Sequence, residues 1–586
     1  MREHLIIGAV ILAGNGILQM GRADKKTANS ALATGLLIAP ALVIFTLCLV
    51  WPVCTIVVRS LNENGKVVLF HQIYLGNYAS IFTDSLLLQV TLQSLYLAAV
   101  ATFVCGVLAF PTAYLISRMS ASIASAMMVL IFAPFWVSII VRLFAFTTIL
   151  GQNGIINTAA GSIGLGPFPM LYNTFGTVVG MVSYLLPYLI LILLSAMLAL
   201  DSSVLTAART MGASEYRIFR DIYFPQIRPA LVGGLVVIFV MGLGFFLTPA
   251  ILGGPHNLTI PLFIQQQLQS YQWGKASAMG IALLAFSLLG YFIALRLAGR
   301  DILSPMQSVG RGVAANPPLR LTPVNIACII VFIFNLVLMI APLVIVLFTS
   351  FTETSQVRFP PVGFSWRWYE EVLTSASWRQ SFTMSVRIAG LTALLSTFCG
   401  LALARAGTRV VSPPARALIQ VVAISPLIVP QILLAIGMYD VFGRLSLVGT
   451  DLGLVLAHSL ICLPLTFLVA ANGLSAIDIS IEQAAWTMGA SQTRGFFEVV
   501  LPNVIPAIVG AVVIALVTSW DEAVLSIFIT QFNRTLPVAI YSMVKSGITP
   551  AVSAVASMIA LPVLIAASVA ALRVLRRGRR RQFLDA

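Results

Sequence analysis

Twelve stretches of this chain are apolar almost from end to end. Crossing ~30 Å of hydrocarbon takes roughly 20 helical residues. Stretches of that length lie near 33–58, 87–114, 122–149, 176–200, 227–252 and 278–298, and again near 323–350, 380–406, 415–442, 452–474, 504–530 and 553–576. Lipid offers backbone N–H and C=O groups no partner, so each stretch is predicted as a helix. The pattern predicts an all-α integral membrane protein with twelve transmembrane helices in two six-helix halves, 31–298 and 323–577. The one long polar connector, 299–322, contains Ser304-Pro305, Gly310-Arg311-Gly312 and Pro317-Pro318, the composition of a cytoplasmic linker. Residues 5–20 are apolar but short and carry Asn15. They lack a small-residue cleavage site, so 1–30 is expected to be an interfacial or poorly ordered extension.

Composition supports lipid as the main solvent. The 586 residues are 59% hydrophobic and 9% charged, with mean hydropathy +0.99, whereas about a quarter of a soluble protein is charged. The net charge of +15 does not indicate nucleic acid. Its basic residues sit in short loops (Arg118; Arg209, Arg217, Arg220, Arg228; Arg296, Arg300, Arg311, Arg320; Arg405, Arg409, Arg416) and in the run from Arg573 to Arg581, which leads into a basic cytoplasmic tail, 578–586. These are alternate loops, so the positive-inside rule places both termini in the cytoplasm, as expected of a multi-pass protein of a bacterial inner membrane. Six cysteines (Cys48, Cys54, Cys105, Cys328, Cys399, Cys462) form no C-x-x-C pair, and four histidines (His4, His71, His256, His458) share no ligand spacing. No metal site or disulfide framework is expected.

Against this background one segment occurs twice, at a constant offset of 277 residues (Ala207 to Ala484). Ala207-Ala208-Arg209-Thr210-Met211-Gly212-Ala213-Ser214 leads to Phe224-Pro225 and Pro229. Ala484-Ala485-Trp486-Thr487-Met488-Gly489-Ala490-Ser491 leads to Leu501-Pro502 and Pro506. Leu186-Pro187 and Leu463-Pro464 keep the same offset upstream. Such self-similarity indicates a duplicated unit. Both copies lie in an inside loop between the fourth and fifth spans of their half. Helices are predicted over 202–220 and 478–497, with Asp201 and Asp478 as N-cap candidates. The alanines and glycine leave one helix side bare, and Pro225 and Pro502 are expected to break each helix before the next span. Two matched small-faced helices on one membrane side imply two matched cytosolic partners.

The pattern Ala-Ala-x-x-x-Gly, continued by Ile222-x-Phe224-Pro225 and Val499-x-Leu501-Pro502, resembles the "EAA" loop of permease subunits in ABC importers. In that family the loop forms a coupling helix that seats on the ATP-hydrolysing subunit. The resemblance implies docking roles for Ala207, Ala208, Gly212, Ala213, Glu482, Ala484, Ala485, Gly489 and Ala490. The family's acid is absent from the first copy (Thr206), and in the second it stands one residue early, as Glu482 before Gln483. No G-x-x-x-x-G-K-[ST] occurs, and Gly274-Lys275 stands alone, so the chain is expected to be no enzyme and to bind no cofactor. ATP and Mg would belong to two separate ATPase subunits, most simply a homodimer.

Further segments are similar to the two permeases of spermidine/putrescine-type importers. In the first half these are Pro134 to Arg142, Gly151-Gln152-Asn153-Gly154, Leu171-Tyr172-Asn173 and Leu252-Gly253-Gly254-Pro255. In the second they are Tyr369-Glu370-Glu371, Ser425-Pro426-x-x-x-Pro430, Ser519-Trp520-Asp521-Glu522 and Leu536-Pro537 through Gly547. The chain looks like both permeases fused end to end. The resemblance implies the type I ABC importer permease (MetI-like) fold, a periplasmic substrate-binding protein as partner and a small-molecule cargo.

Asp521 and Glu522, beside Trp520, fall inside the eleventh span, where ionisable groups are costly and are functional-site hypotheses by default. A polyammonium cargo would favour carboxylates and aromatic faces. A structural pairing with an arginine or a backbone group is the competing reading. Trp136 and Tyr184 are candidate lining aromatics, with packing as the alternative. Arg142 either snorkels to the interface or meets an anionic group of ligand or binding protein. His458 reads as a hydrogen-bonded packing residue rather than a proton relay. The matching first-half span, Gly242 to Pro249, has no acid, which suits a smaller or singly charged amine. Aminophosphonate, opine or ferric-ion import keeps the architecture and changes the cargo. An ion-coupled secondary transporter is the alternative of another class.

Overall fold

The structure, a computed structural model, describes residues 25–63, 65, 73–255, 257–298, 322–410, 412–547 and 549–584. The expectations for residues 5–20, for His4, His71 and His256 and for the linker 299–321 lie outside these residues. Every regular element among those described is helical. In the first half, α1 (Lys25–Phe45) continues through a π turn into Trp51–Ser60. It is followed by α2 (Ser85–Ser117), α3 (Ala121–Phe132), α4 (Ile139–Leu150), α5 (Thr174–Leu198), α6 (Ser202–Thr210), α7 (Phe224–Leu243) and α8 (Trp273–Ala298). The second half repeats the order as α9 (Pro323–Thr349), α10 (Ala376–Arg409), α11 (Pro413–Ile424), α12 (Gln431–Arg444), α13 (Asp451–Ser475), α14 (Ile479–Thr487), α15 (Leu501–Asp521), α16 (Val524–Ile529) and α17 (Pro550–Leu584).

Eleven of the described helices are long and apolar enough to cross a bilayer, and twelve if the pair 413–427 and 431–444, bent by 98°, is one span. The third and fifth spans of each half are therefore not the continuous rods predicted. In the third, a 3-10 turn (Ala133–Trp136; Ser425–Leu427) is followed by extended residues before the helix restarts at Ile139 or Gln431. Pro134, Pro426 and Pro430 stand in these breaks. Proline removes a donor and biases the preceding residue toward extended backbone. The fifth spans break at Gly244–Phe246 and at Glu522–Ala523. Irregular backbone at such depth is tolerated only where protein or a cavity surrounds it.

Contacts divide the described chain into two units that do not follow the repeat. The larger comprises Cys48–Thr392, Leu427–His458 and Leu516–Ala586; the smaller comprises residues up to Leu47, Ala393–Pro426 and Ser459–Ala515. In the larger, α2 and α5 form a core from Leu115, Ile116, Leu185, Leu189 and Leu193. Cys328, Phe332 and Met339 of α9 join this core. Asn335 of α9 donates to Thr112 Oγ1 (2.7 Å) and to the Leu108 carbonyl (3.0 Å) of α2, an interhelical polar bond of the kind that fastens membrane helices. α17 packs on α3. A helix of the second half thus covers the first half at two places. In the smaller unit, α10 and α13 touch at Gly400, where a Cβ would collide with Thr466 Oγ1 and the Phe467 backbone. Thr466 donates to the Ser396 carbonyl there (2.8 Å). Outward faces carry Phe103, Val107, Ile330, Leu394 and Phe398. Lipid, not water, suits such faces.

Candidate functional site

Both copies of the repeated segment are built from the same devices. Asp201 Oδ1 accepts the Ser203 N–H (2.8 Å) and Asp478 Oδ1 the Ser480 N–H (2.9 Å), as N-caps of α6 and α14. Hydrogen bonds from Ser203, side chain first and then backbone, hold Asp201 below the usual carboxylate range. Those from Ser480, backbone first, do the same at Asp478. Each helix ends in a Schellman motif: Gly212 N–H to Arg209 O and Ala213 N–H to Ala208 O, then Gly489 N–H to Trp486 O and Ala490 N–H to Ala485 O, all at 3.0 Å. Ser214 and Ser491 then cap a second short helix, accepting from Arg217 N–H and Arg494 N–H.

Several expectations for this segment are corrected. The helices are 202–210 and 479–487, shorter than 202–220 and 478–497. Gly212 (φ +82°) and Gly489 (φ +90°) end them in the left-handed region, and a Cβ at either position would meet nothing within 4 Å. These glycines supply a backbone conformation, not a bare patch. Pro225 and Pro502 break nothing. The chain runs helically from Glu215 to Leu243 and from Gln492 to Asp521, through π turns at Ile218–Tyr223 and Phe496–Val500. The widened turn sits directly before the proline-bearing first turn of the span, where a missing N–H matters least. Ala208 and Ala485 face inward, each nearly fully buried, while Ala207, Ala484 and both glycines are exposed and Ala213 and Ala490 half-buried. The most exposed large apolar side chains here are Met211 and Met488, 81% and 83% accessible and equivalent in the repeat.

Glu482 is not on the outer face either. It is 6% exposed, and both of its carboxylate oxygens accept from the Arg405 guanidinium, one bond measuring 3.0 Å. Arg405 belongs to the last turns of α10 rather than to a loop, and its guanidinium lies 4.8 Å over the Phe496 ring.

The second cluster gathers at the break of the third first-half span, wholly within the larger unit. Ser138, the N-cap residue of α4, makes no side-chain cap bond. Asp521 Oδ1, from the end of α15, accepts the Ile139 N–H instead (2.9 Å). A carboxylate at a helix N-terminus also meets the positive end of the helix dipole. Glu522 is buried and accepts the Leu525 N–H in the first turn of α16 (2.9 Å). Both carboxylates thus have backbone partners at half-helix starts. Arg142, 2% exposed, does not snorkel. Its guanidinium donates to the carbonyls of Pro134 (2.6 Å), Ser183 (3.3 Å) and Val137 (3.5 Å), closing the end of the other half-helix.

Aromatic rings surround this point. Phe135 is 6.0 Å from Tyr184 and 4.8 Å from Tyr188, and Tyr184 is 5.4 Å from Phe245. Arg142 and Asp521 lie within electrostatic reach of both tyrosines. Of the predicted residues, the structure brings together Asp521, Arg142 and Tyr184. Trp136 stands in the break, 47% exposed. Trp520 packs edge-on against Phe382 (5.6 Å). His458 is buried and bridges Ser519 (2.8 Å) and Ser526 (2.9 Å), one on each side of the Glu522–Ala523 break. Phe135, Tyr188 and Phe245 are not singled out by the sequence, since apolar spans are full of aromatics and only the break distinguishes these.

The repeat register sets Asp521 against Gly244 and, through Pro134 and Pro426, Ile139 against Gln431. The equivalent positions are again neighbours: a Cβ on Gly244 would lie 3.8 Å from Pro430, beside the start of α12. There the helix N-terminus has no side-chain cap.

A family model described as "Binding-protein-dependent transport system inner membrane component" matches residues 98–300 and again 396–580. Among curated proteins, the chain is 29% identical over 251 residues to the spermidine/putrescine transport system permease protein PotB of Haemophilus influenzae, covering 42% of this chain and 87% of that protein. It is 32% identical over 228 residues to PotC of the same system and organism, covering 37% and 84%. It is 28% identical over 242 residues to the putrescine transport system permease protein PotI of Escherichia coli, covering 39% and 84%. Among solved structures, a chain of a bacterial alginate ABC transporter in complex with an alginate pentasaccharide-bound periplasmic protein matches with a TM-score of 0.41 and 18% identity, over 47% of this chain and 97% of that one.

Proposed function

This chain belongs to the binding-protein-dependent transport system inner membrane components, and from that premise we propose that it is the complete membrane permease of an ATP-driven importer for a small organic amine. α6 and α14 each dock one of two separate ATPase subunits, which hold the ATP and Mg. A periplasmic binding protein delivers cargo from the other side, and both termini lie in the cytoplasm. Closure of the ATPases on ATP moves the two docking helices, and the spans that follow them, between inward- and outward-facing states. The helical continuity from Glu215 to Leu243 and from Gln492 to Asp521 supports this reading, because a push on either loop segment reaches deep into the membrane through one rod.

One observation carries the cargo class: a carboxylate, Asp521, caps the break in the span within electrostatic reach of Tyr184 and Tyr188, whose rings pack with Phe135 and Phe245. Carboxylate plus ring faces is the chemistry that holds an ammonium ion. The relatives named for spermidine and putrescine point the same way. Arg142 is committed to carbonyls, which leaves it poorly placed to hold an anionic cargo. An aminophosphonate is the second reading. It draws on Gly244, which leaves the equivalent site without an acid.

The test is ligand-dependent ATP hydrolysis by the complex in nanodiscs, with binding protein loaded in turn with amines, aminophosphonates and ferric ion. Stimulation by an amine supports the reading; stimulation by ferric ion alone overturns the cargo.

A further inference from the structure

The two docking segments occupy equivalent places in the repeat, yet each is held to its half by different chemistry. In the second copy the link is a buried ion pair. Arg405 and Glu482 are 7% and 6% exposed, joined by two hydrogen bonds, with the Phe496 ring beneath the guanidinium. In register, Ala113 stands for Arg405 and Leu205 for Glu482, since α2 and α10 end at Ser117 and Arg409 and are followed by the cap residues Ser120 and Ser412. Both charges are therefore replaced together by apolar groups. Ala113 is buried and Leu205 packs on the core of the larger unit. Phe219, the equivalent of Phe496, packs in an aromatic cluster with Phe110 (6.3 Å), Tyr114 (6.3 Å), Tyr223 (5.9 Å) and Phe224 (6.2 Å). The residues matching Phe110 and Tyr114 are Ala402 and Ala406.

A buried ion pair contributes little against a well-packed apolar alternative, but removing one partner leaves an uncompensated charge. Its better-attested use is to fix a unique arrangement. The planar guanidinium on two carboxylate oxygens fixes direction as well as distance. Aromatic packing fills space and lets its members slide.

We propose that Arg405 and Glu482 are positioning residues that tie the second docking helix to its second span by a directional ion pair, while the matching positions of the first docking helix and its second span, Leu205 and Ala113, meet the core as apolar groups. The two sides of the permease then answer the same push differently, the α14 side as a stiff strut and the α6 side as a compliant one. The proposal rests on the docking role given to α6 and α14.

Amide exchange of the full chain in nanodiscs tests the anchor without any partner. Glu482→Gln and Arg405→Met are expected to speed exchange at least tenfold across 479–487 and to leave 202–210 unchanged; Leu205→Ala is expected to do the reverse. Arg405→Lys, which keeps the charge and loses the two-pronged geometry, falls between. Wild-type exchange in Glu482→Gln, or equal acceleration of both segments, overturns the proposal. In the complex, at saturating ATPase, Glu482→Gln is expected to hydrolyse about tenfold more ATP per cargo moved. An unchanged ratio overturns the strut. If the wild-type chain binds no ATPase while the exchange pattern holds, the docking reading fails and the anchor stands.

Discussion

Asp521 has two separable jobs. As a cap it accepts the Ile139 N–H; in the proposed function its charge also attracts the cationic cargo. Asn at this position keeps an acceptor oxygen and removes the charge. Asp521→Asn is therefore expected to retain the thermal stability of the chain while lowering amine uptake at least tenfold, a rise of about 1.4 kcal/mol or more in the barrier. Unaltered uptake and ligand preference would reduce Asp521 to a helix cap. The converse substitution, Gly244→Asp, places a carboxylate at the equivalent start of α12, where the backbone has negative φ and room for a Cβ. It is expected to shift competition assays toward diamines over monoamines. His458 spans the Glu522–Ala523 break through two buried hydroxyl contacts. Without it Ser526 keeps the Glu522 carbonyl but the buried Ser519 hydroxyl loses this partner, a cost of about 1–3 kcal/mol, so His458→Ala lowers the melting temperature of the purified chain. That is the packing role rather than a relay.

At the scale of elements, the two helices proposed to dock the ATPase are short and depend on their ends. Asp201 and Asp478 have depressed native pKa values, so their caps are intact above the unfolded carboxylate range, near pH 4, and are lost as pH falls through the lower native values. Exchange protection of 202–210 and 479–487, corrected for intrinsic rates, is expected to hold between pH 5 and 8 and to fall only below about pH 4. Gly489→Ala forces a Cβ into the left-handed region, at about 1–2 kcal/mol. It should loosen the helix end of α14 with no clash as the cause.

The same elements show where sequence reasoning reaches its limit. Spans and the duplicated segment are legible because hydropathy and fixed offsets need only local composition. The breaks are not, because an apolar window reads alike whether its helix is whole or interrupted. Proline alone does not decide: Pro111 and Pro187 lie within unbroken helices, whereas Pro134 and Pro426 lie in breaks. Glu482 reads as a docking acid in the sequence because its partner, Arg405, stands 77 residues away. Setting the two halves in register flags that pair, since Ala113 and Leu205 change together.

In the molecule as a whole, the repeat and the packing divide the chain differently. The larger unit joins most of the first half to α9, α12, α16 and α17 of the second. Neither half owns a complete core. Severing the chain between residues 298 and 322 is therefore expected to give fragments that copurify when coexpressed and aggregate when expressed singly. Well-behaved isolated halves would contradict the packing.

The proposed function places the motor outside the chain, and that dependence is the central claim. Accumulation of a labelled amine by proteoliposomes tests it, comparing the purified chain alone with the chain plus its ATPase and binding protein, each with and without ATP. The account predicts accumulation only with all three proteins and ATP present. Uphill accumulation by the chain alone, driven by an imposed proton or sodium gradient, would contradict it.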